Sequence, residues 1–298
     1  MHLLITGAWQ QFYEFLPIIK RRHEVKLLQF EKDSLPCESD WIEGIIGNGF
    51  FLYHPIEHFV NLRFIQLTSA GYDRIPMDYV TSHNIKIFNA RGVYSIPMAE
   101  YALSGVLSLL KNNRFFMEKQ KSHLWEKDRN IKELFGRKIC IFGCGSVGSE
   151  CAKRFEAMGC EVIGIDPIVQ ENQYFDKVVH PMYMNSIVDE SDVVIITLPL
   201  TKETKSMFNE EFFRVMKDGS IFVNIARGEL VDTNALINAL DAKLFGAVLD
   251  VFENEPLLPE NALWDKPNLI ITPHNSFVGD GNNNRLSHVI MSNLNEQN

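Results

Sequence analysis

The chain has 298 residues, 46% hydrophobic and 22% charged, enough to fill the cores of two globular domains and too apolar for a disordered chain. Its net charge of -9, without any Lys/Arg block, speaks against a nucleic-acid or anionic-membrane partner and requires any anionic ligand to be held by local donors. The start of the chain lacks a basic flank, and no apolar run approaches about twenty residues, so neither a secretory signal nor a membrane span is expected and the chain reads as cytoplasmic.

From the N-terminus, apolar runs at 2–6, 24–30, 44–47, 63–68 and 85–88 read as strands, with a short helix expected between each pair. That alternation predicts a parallel α/β unit, complete before residue 94. After the fourth strand comes Thr68-Ser69-Ala70-Gly71-Tyr72-Asp73, at the carboxyl end where open α/β sheets take ligands. Its small residues leave backbone N–H groups accessible, so Ser69, Ala70 and Gly71 are candidates for a carboxylate cradle; a plain β-to-α turn is the alternative. Residues 89–94 read as a linker. Ser95 is placed to cap a helix with Pro97 in its first turn, running to about Lys111. Met98, Ala102, Leu103, Val106, Leu107, Leu109 and Leu110 make this helix heavily apolar, for burial in the core or against a second subunit. A mostly polar stretch, 118–132, with Trp125 in it, leads to Gly136.

The second half is organised around 138–148, an apolar strand that stops in Gly143-Cys144-Gly145-Ser146-Val147-Gly148, a G-x-G-x-x-G loop. Such a loop alone is weak evidence, but strand, helix and acid follow in order. Val147, Cys151, Ala152, Phe155 and Met158 fall on one helical face, and Gly159 supplies a stop. A second strand, 161–165, ends in Asp166, about twenty residues beyond the loop, as a ribose-binding carboxylate would. Glycines and a positive helix end suit a pyrophosphate, and Asp166 would repel a 2′-phosphate, so NAD is expected rather than NADP. Cys37, Cys140, Cys144, Cys151 and Cys160 form an odd set with four crowded on this one unit, which is no disulfide framework. Without a CxxC pair a zinc site is disfavoured, and reduced thiols are expected.

Beyond Asp166, further strands are expected at 192–197, 220–224, 246–249 and 269–271, and 275–298 as a tail that returns as a helix to the first domain. Polar groups follow three consecutive strands of this set: Arg227, then Asp250 with Glu255 in the loop beyond, then His274. Ends of neighbouring parallel strands converge on one crevice. An arginine there grips a carboxylate or carbonyl oxygen with its planar fork, and a carboxylate beside a histidine fixes its tautomer for acid/base work. Singly, Arg227 could be an ion-pairing residue, Asp250 a turn cap, Glu253 and Glu255 solvated loop charges, and His274 structural.

Five stretches carry a resemblance: the glycine loop; Leu198-Pro199-Leu200-Thr201 through Thr204; Val223-Asn224-Ile225-Ala226-Arg227-Gly228 with Val231-Asp232; Leu249-Asp250-Val251-Phe252-Glu253-Asn254-Glu255-Pro256; and Thr272-Pro273-His274. Ser69-Ala70-Gly71-Tyr72-Asp73 and Ala99-Glu100 add to it. The chain resembles the D-isomer-specific 2-hydroxyacid dehydrogenase family, the group of D-lactate, D-3-phosphoglycerate and glyoxylate/hydroxypyruvate enzymes. The resemblance spans nearly the whole chain in order, and is specific for family and weak for substrate.

It implies an α/β fold of two Rossmann-like domains with doubly wound parallel sheets, the substrate domain split as 1–93 and 275–298 around an NAD-binding domain at 94–274. It implies that His274 is the acid/base, Glu255 its partner, and Arg227 the ligand of the substrate's carboxylate and keto oxygen. Ala70 and Gly71 amides would hold that carboxylate from the other domain. Asp250 would position the nicotinamide carboxamide, with Thr197, Pro199, Thr204 and Ala226 lining the cofactor. The implied reaction is hydride transfer between NAD and C2 of a D-2-hydroxy acid or 2-keto acid, in a homodimer formed through the helix at 97–111. Ser146 stands where relatives often carry Arg or Lys, removing one pyrophosphate contact. The chain ends soon after His274, which argues against the long, serine-regulated phosphoglycerate enzymes. Two rivals share the architecture: formate dehydrogenase, disfavoured because it pairs its histidine with glutamine, and an NAD-sensing corepressor, disfavoured by the intact Arg227, Glu255 and His274 set.

Overall fold

The computed structural model describes residues 1–296, in two compact units: Met1–Tyr94 together with the segment that begins at Gly279, and Ser95–Val278. The first unit contains β1 (His2–Thr6), α1 (Phe12–Ile19), β2 (Glu24–Leu28), β3 (Gly44–Gly47), β4 (Phe64–Leu67), α2 (Met77–Ser82) and β5 (Lys86–Phe88). Its sheet is parallel throughout, in the order β2-β1-β3-β4-β5. Two of the four crossovers lack the expected α-helix. Short 3₁₀ turns at Ser39–Trp41, Phe50–Leu52 and Ile56–His58 do that work, because Pro36 and Pro55 interrupt helical hydrogen bonding there. The last helix, Asn282–Asn295, packs on this unit: Leu286, Ile290 and Leu294 join Leu3, Ile5, Trp9 and Phe64 in one core, and Trp9 donates to Ser287 at 2.8 Å.

The second unit contains α3 (Ser95–Leu110), α4 (Asn113–Lys121), β6 (Lys138–Phe142), α5 (Ser146–Ala157), β7 (Glu161–Ile165), β8 (Lys177–Val179), α6 (Met184–Val188), β9 (Val193–Ile196), α7 (Glu210–Val215), β10 (Ile221–Asn224), α8 (Thr233–Ala242), β11 (Gly246–Leu249) and β12 (Leu269–Ile271). Seven parallel strands lie in the order β12-β11-β10-β9-β6-β7-β8. The central ones, β9 and β10, are buried at every residue and apolar but for Asn224 at the end of β10, as a sheet covered on both faces demands. Ser95 is the first residue of α3 rather than its cap, with Pro97 in the first turn. Ala99, Ala102, Val106 and Leu110 are the buried face of α3, and Gly105 brings it against Val248, whose side chain stands 2.7 Å from where a Cβ would be. Met158 falls just past α5 and is exposed, so the buried face of α5 is Gly148, Cys151, Ala152 and Phe155. Asn275 and Ser276 remain with this unit through hydrogen bonds to Asp250.

Candidate active site

The strand order of the second unit reverses between β6 and β9, and the glycine loop follows β6 at that switch point. Each glycine has a separate reason. Gly143 has φ +93°, in the left-handed region, and its carbonyl accepts from the Thr197 hydroxyl at 2.8 Å. A Cβ on Gly148 would stand 1.9 Å from the Gly143 carbonyl oxygen, so only glycine lets α5 close on the strand. Gly145 is extended, and a Cβ there would meet nothing within 4 Å. Among the described residues the N–H groups of Gly145 and Val147 have no protein acceptor. Open space, free donors and the start of a twelve-residue helix fit a pyrophosphate. Asp166, at the end of β7, accepts from the Cys144 N–H at 2.8 Å and the Ile168 N–H at 2.8 Å. A carboxylate has about four acceptor positions, so capacity for ribose hydroxyls remains. Thr197 holds the loop, while Thr204 donates to Pro199 O at 2.7 Å and closes the turn after β9.

At the other side of the sheet β10, β11 and β12 are hydrogen-bonded neighbours, so the residues that follow them emerge side by side. Asn224 ends β10 and grips the next turn, donating to Arg227 O at 2.8 Å and accepting from the Ala226 N–H at 3.0 Å. The Arg227 guanidinium donates to Ala226 O at 2.8 Å. Gly228 is mandatory here, since a Cβ would stand 1.9 Å from the backbone of Phe252. The structure brings Glu255 and His274 together: His274 Nδ1 lies 2.8 Å from Glu255 Oε2. Glu255 Oε1 accepts from the Phe252 N–H at 3.0 Å, which aims the carboxylate. The carboxylate partner makes Nδ1 the protonated nitrogen and leaves Nε2 to exchange a proton.

His274 has φ +50°, a conformation costing about 1–2 kcal/mol for a residue with a Cβ. Asp250 offsets it. This residue is fully buried, and its carboxylate serves the histidine loop. It accepts from the Thr272 hydroxyl at 2.5 Å, the Asn275 N–H at 2.7 Å and the Ser276 N–H at 2.8 Å, while the Asp250 carbonyl takes the His274 N–H at 2.7 Å. Because Thr272 gives its single proton to a carboxylate, the Tyr101 hydroxyl, 2.6 Å from Thr272 Oγ1, must donate to it. Burial pushes the Tyr101 phenol up, so it stays protonated for this purpose. Nothing in the sequence around Tyr101 or Thr272 announced this relay.

In the first unit, the loop after β4 is braced from outside. The Ala90 N–H donates to Ser69 O at 2.8 Å, Asn89 Nδ2 to Ala70 O at 2.6 Å, and the Tyr94 hydroxyl to Thr68 O. Among the described residues the N–H groups of Ala70 and Gly71 have no acceptor, leaving two fixed donors at the carboxyl edge of the sheet. The five cysteines are free. Burial pushes Cys144 and Cys151 up to about 12 and Cys160 up to about 11. Among the described residues no cluster of His, Cys, Asp and Glu could hold a metal, and no helix is long and apolar enough to cross a membrane.

A family model described as D-isomer specific 2-hydroxyacid dehydrogenase, NAD binding domain, matches residues 103–276. The chain is similar to D-3-phosphoglycerate dehydrogenase of Bacillus subtilis, 34% identical over 216 residues, which cover 72% of this chain and 41% of that protein. It therefore spans about two fifths of that relative's length. It is also similar to hydroxypyruvate reductase of Thermotoga maritima, 34% identical over 223 residues, covering 74% of this chain and 72% of the relative. Among solved structures, the D-lactate dehydrogenase of Aquifex aeolicus complexed with NAD and lactic acid has a TM-score of 0.80 at 27% identity, covering 99% of this chain and 95% of that one.

Proposed function

Because the chain belongs to the D-isomer specific 2-hydroxyacid dehydrogenase family, we propose that it transfers a hydride between NAD and C2 of a D-2-hydroxy acid or 2-keto acid. The observation that carries the reading is the 2.8 Å pair of His274 and Glu255, which follow the neighbouring strands β12 and β11. When bound, the nicotinamide supplies or accepts the hydride. The chain's own part is binding and proton transfer. The glycine loop and α5 receive the pyrophosphate, and Asp166 the ribose. Arg227 binds the substrate carboxylate and draws charge from the keto oxygen, and the Ala70 and Gly71 N–H groups of the first unit are two donors suited to a carboxylate. His274 Nε2 gives a proton to that oxygen in reduction and takes it back in oxidation, while Glu255 stabilises the charged imidazole. Asp250 acts in this reading through the loop it holds.

His274→Ala should lower kcat for 2-keto acid reduction by about 10²- to 10⁴-fold with NADH affinity nearly unchanged, measured by NADH consumption with glyoxylate, pyruvate and hydroxypyruvate. Unaltered turnover would remove His274 from the reaction. Our reading also takes the chain as a cytoplasmic homodimer joined through α3 and the segment after it, supported by the half-buried Leu103 and Leu107 and by Trp125, which is 99% exposed; light scattering reports that state.

A further inference from the structure

The carboxyl edge of the first unit holds a side-chain cluster that this reaction leaves unused. The strand order there reverses between β1 and β3, and open α/β sheets take ligands at such a switch point. Thr6 ends β1, and Asn48 and Gly49 follow β3. The Glu31 carboxylate bridges them. Its Oε1 accepts from the Thr6 hydroxyl at 2.9 Å and the Asn48 N–H at 2.6 Å, and its Oε2 from the Gly49 N–H at 2.7 Å. The Glu31 carbonyl meets His54 Nε2 at 2.8 Å, so backbone and side chain are both pinned. Gly47 makes room, since a Cβ there would stand 2.6 Å from Oε1.

Successive backbone N–H groups at a turn form a concavity suited to an anion, and here the chain fills it with its own carboxylate. An ionised carboxylate can only accept hydrogen bonds. The Asn48 side chain adds a second acceptor: its Oδ1 is buried and, among the described residues, has no hydrogen-bond partner. Glu31 has no ion-pair partner among the described residues, and Arg74, whose Cδ lies 3.6 Å from the Cβ position at Gly49, is exposed. Beside the Arg74 side chain, the crevice therefore presents the lone pairs that remain on the Glu31 carboxylate and the unpartnered Asn48 Oδ1. It lies close to the Ala70 and Gly71 amides, because β3 and β4 are adjacent strands, about 4.8 Å apart.

We propose that Glu31, with Asn48, determines which side chain the substrate carries: a group that donates a hydrogen bond, hydroxyl or ammonium, is accepted, and a phosphate, sulfonate or second carboxylate is refused. The proposal rests on the 2-keto acid reading and names the substrate class within it, a 2-keto acid with a hydroxyl or amine on its short side chain.

Calorimetric titration of D-glycerate and of 3-phospho-D-glycerate into the NADH-saturated wild type, Glu31→Gln and Glu31→Ala tests it. The wild type should prefer D-glycerate by about tenfold or more, and both variants should reduce that preference by about tenfold, as removal of one like-charge contact implies. Glu31→Gln keeps the shape of the side chain, so a change in Glu31→Ala alone overturns the charge argument. An unchanged preference in both variants, a wild type that favours the phosphorylated acid, or no binding of either acid also overturns it. The general reading fails separately, if the wild type with NADH reduces none of glyoxylate, pyruvate and hydroxypyruvate, since the titrations need no turnover.

Discussion

Gly145→Ala alters a point in the glycine loop where the protein itself has nothing to lose. A φ of -73° and ψ of -159° are open to any residue, and the new methyl meets no protein atom within 4 Å. The unfolding free energy should stay within about 0.5 kcal/mol of wild type, or about 1–2 °C in Tm for a domain of this size. A pyrophosphate lying on the Gly145 and Val147 N–H groups would meet that methyl directly. Overpacking of this kind costs about 1–3 kcal/mol, which is a loss of NADH affinity of about 5- to 150-fold. Titration of NADH fluorescence, run beside a thermal melt, reads both quantities. Wild-type affinity in the variant would place the phosphates elsewhere, and a large fall in Tm would mean the loop is packed where it looks open. Gly148→Ala is the opposite control: its Cβ would stand 1.9 Å from the Gly143 oxygen, so stability should fall by about 1–3 kcal/mol before any ligand is added.

Tyr101→Phe removes the donor to Thr272 and should cost about 0.5–1.5 kcal/mol in stability; it should lower kcat and change its pH profile while leaving NADH affinity in place, and an unchanged profile would confine Tyr101 to packing. Asp192 is opposed in its ionisation by burial, yet Lys217 and the Lys138 N–H, with Arg137, outweigh this and hold its carboxyl below the ordinary value. Because its folded pKa is depressed, its contribution is complete above the ordinary carboxylate value and disappears as pH falls through the lowered one. Asp192→Asn should therefore be less stable than wild type at pH 7 by about 1–3 kcal/mol, with the gap closing below about pH 4; urea unfolding at both pH values checks it, and an equal gap at each would remove the charge argument.

The glycine-loop unit was legible because its signals are local. A β-rich run, three glycines, a helical face and an acid some twenty residues on are written within 138–166, and each glycine answers to a contact a few residues or one strand away. Less of the first unit could be read. Its strands follow apolar runs, but the 3₁₀ turns at Phe50–Leu52 and Ile56–His58 carry the same apolar residues a helix would, and Pro55 between them is the local signal against one. The edge strand β8 is three residues long and only partly buried, too short to generate a pattern. The Tyr101–Thr272 bond joins residues 171 positions apart, and Glu31 meets Asn48 across a crossover. Neither pairing leaves a mark on its own neighbourhood.

The histidine loop makes the same point energetically. His274 is fixed chiefly by what the chain does around it: among the described residues its ring has one hydrogen bond, to Glu255, whereas four bonds from 272, 274, 275 and 276 converge on Asp250. The left-handed φ costs about 1–2 kcal/mol, and each bond to the buried carboxylate contributes about 1.5–3 kcal/mol, so the loop is held in that conformation with a margin. An asparagine at 250 could accept with one oxygen but would present two protons to donors on the other side, setting N–H against N–H at Ser276. The requirement for an acid at this position therefore follows from the backbone it restrains, whatever the cofactor asks of it.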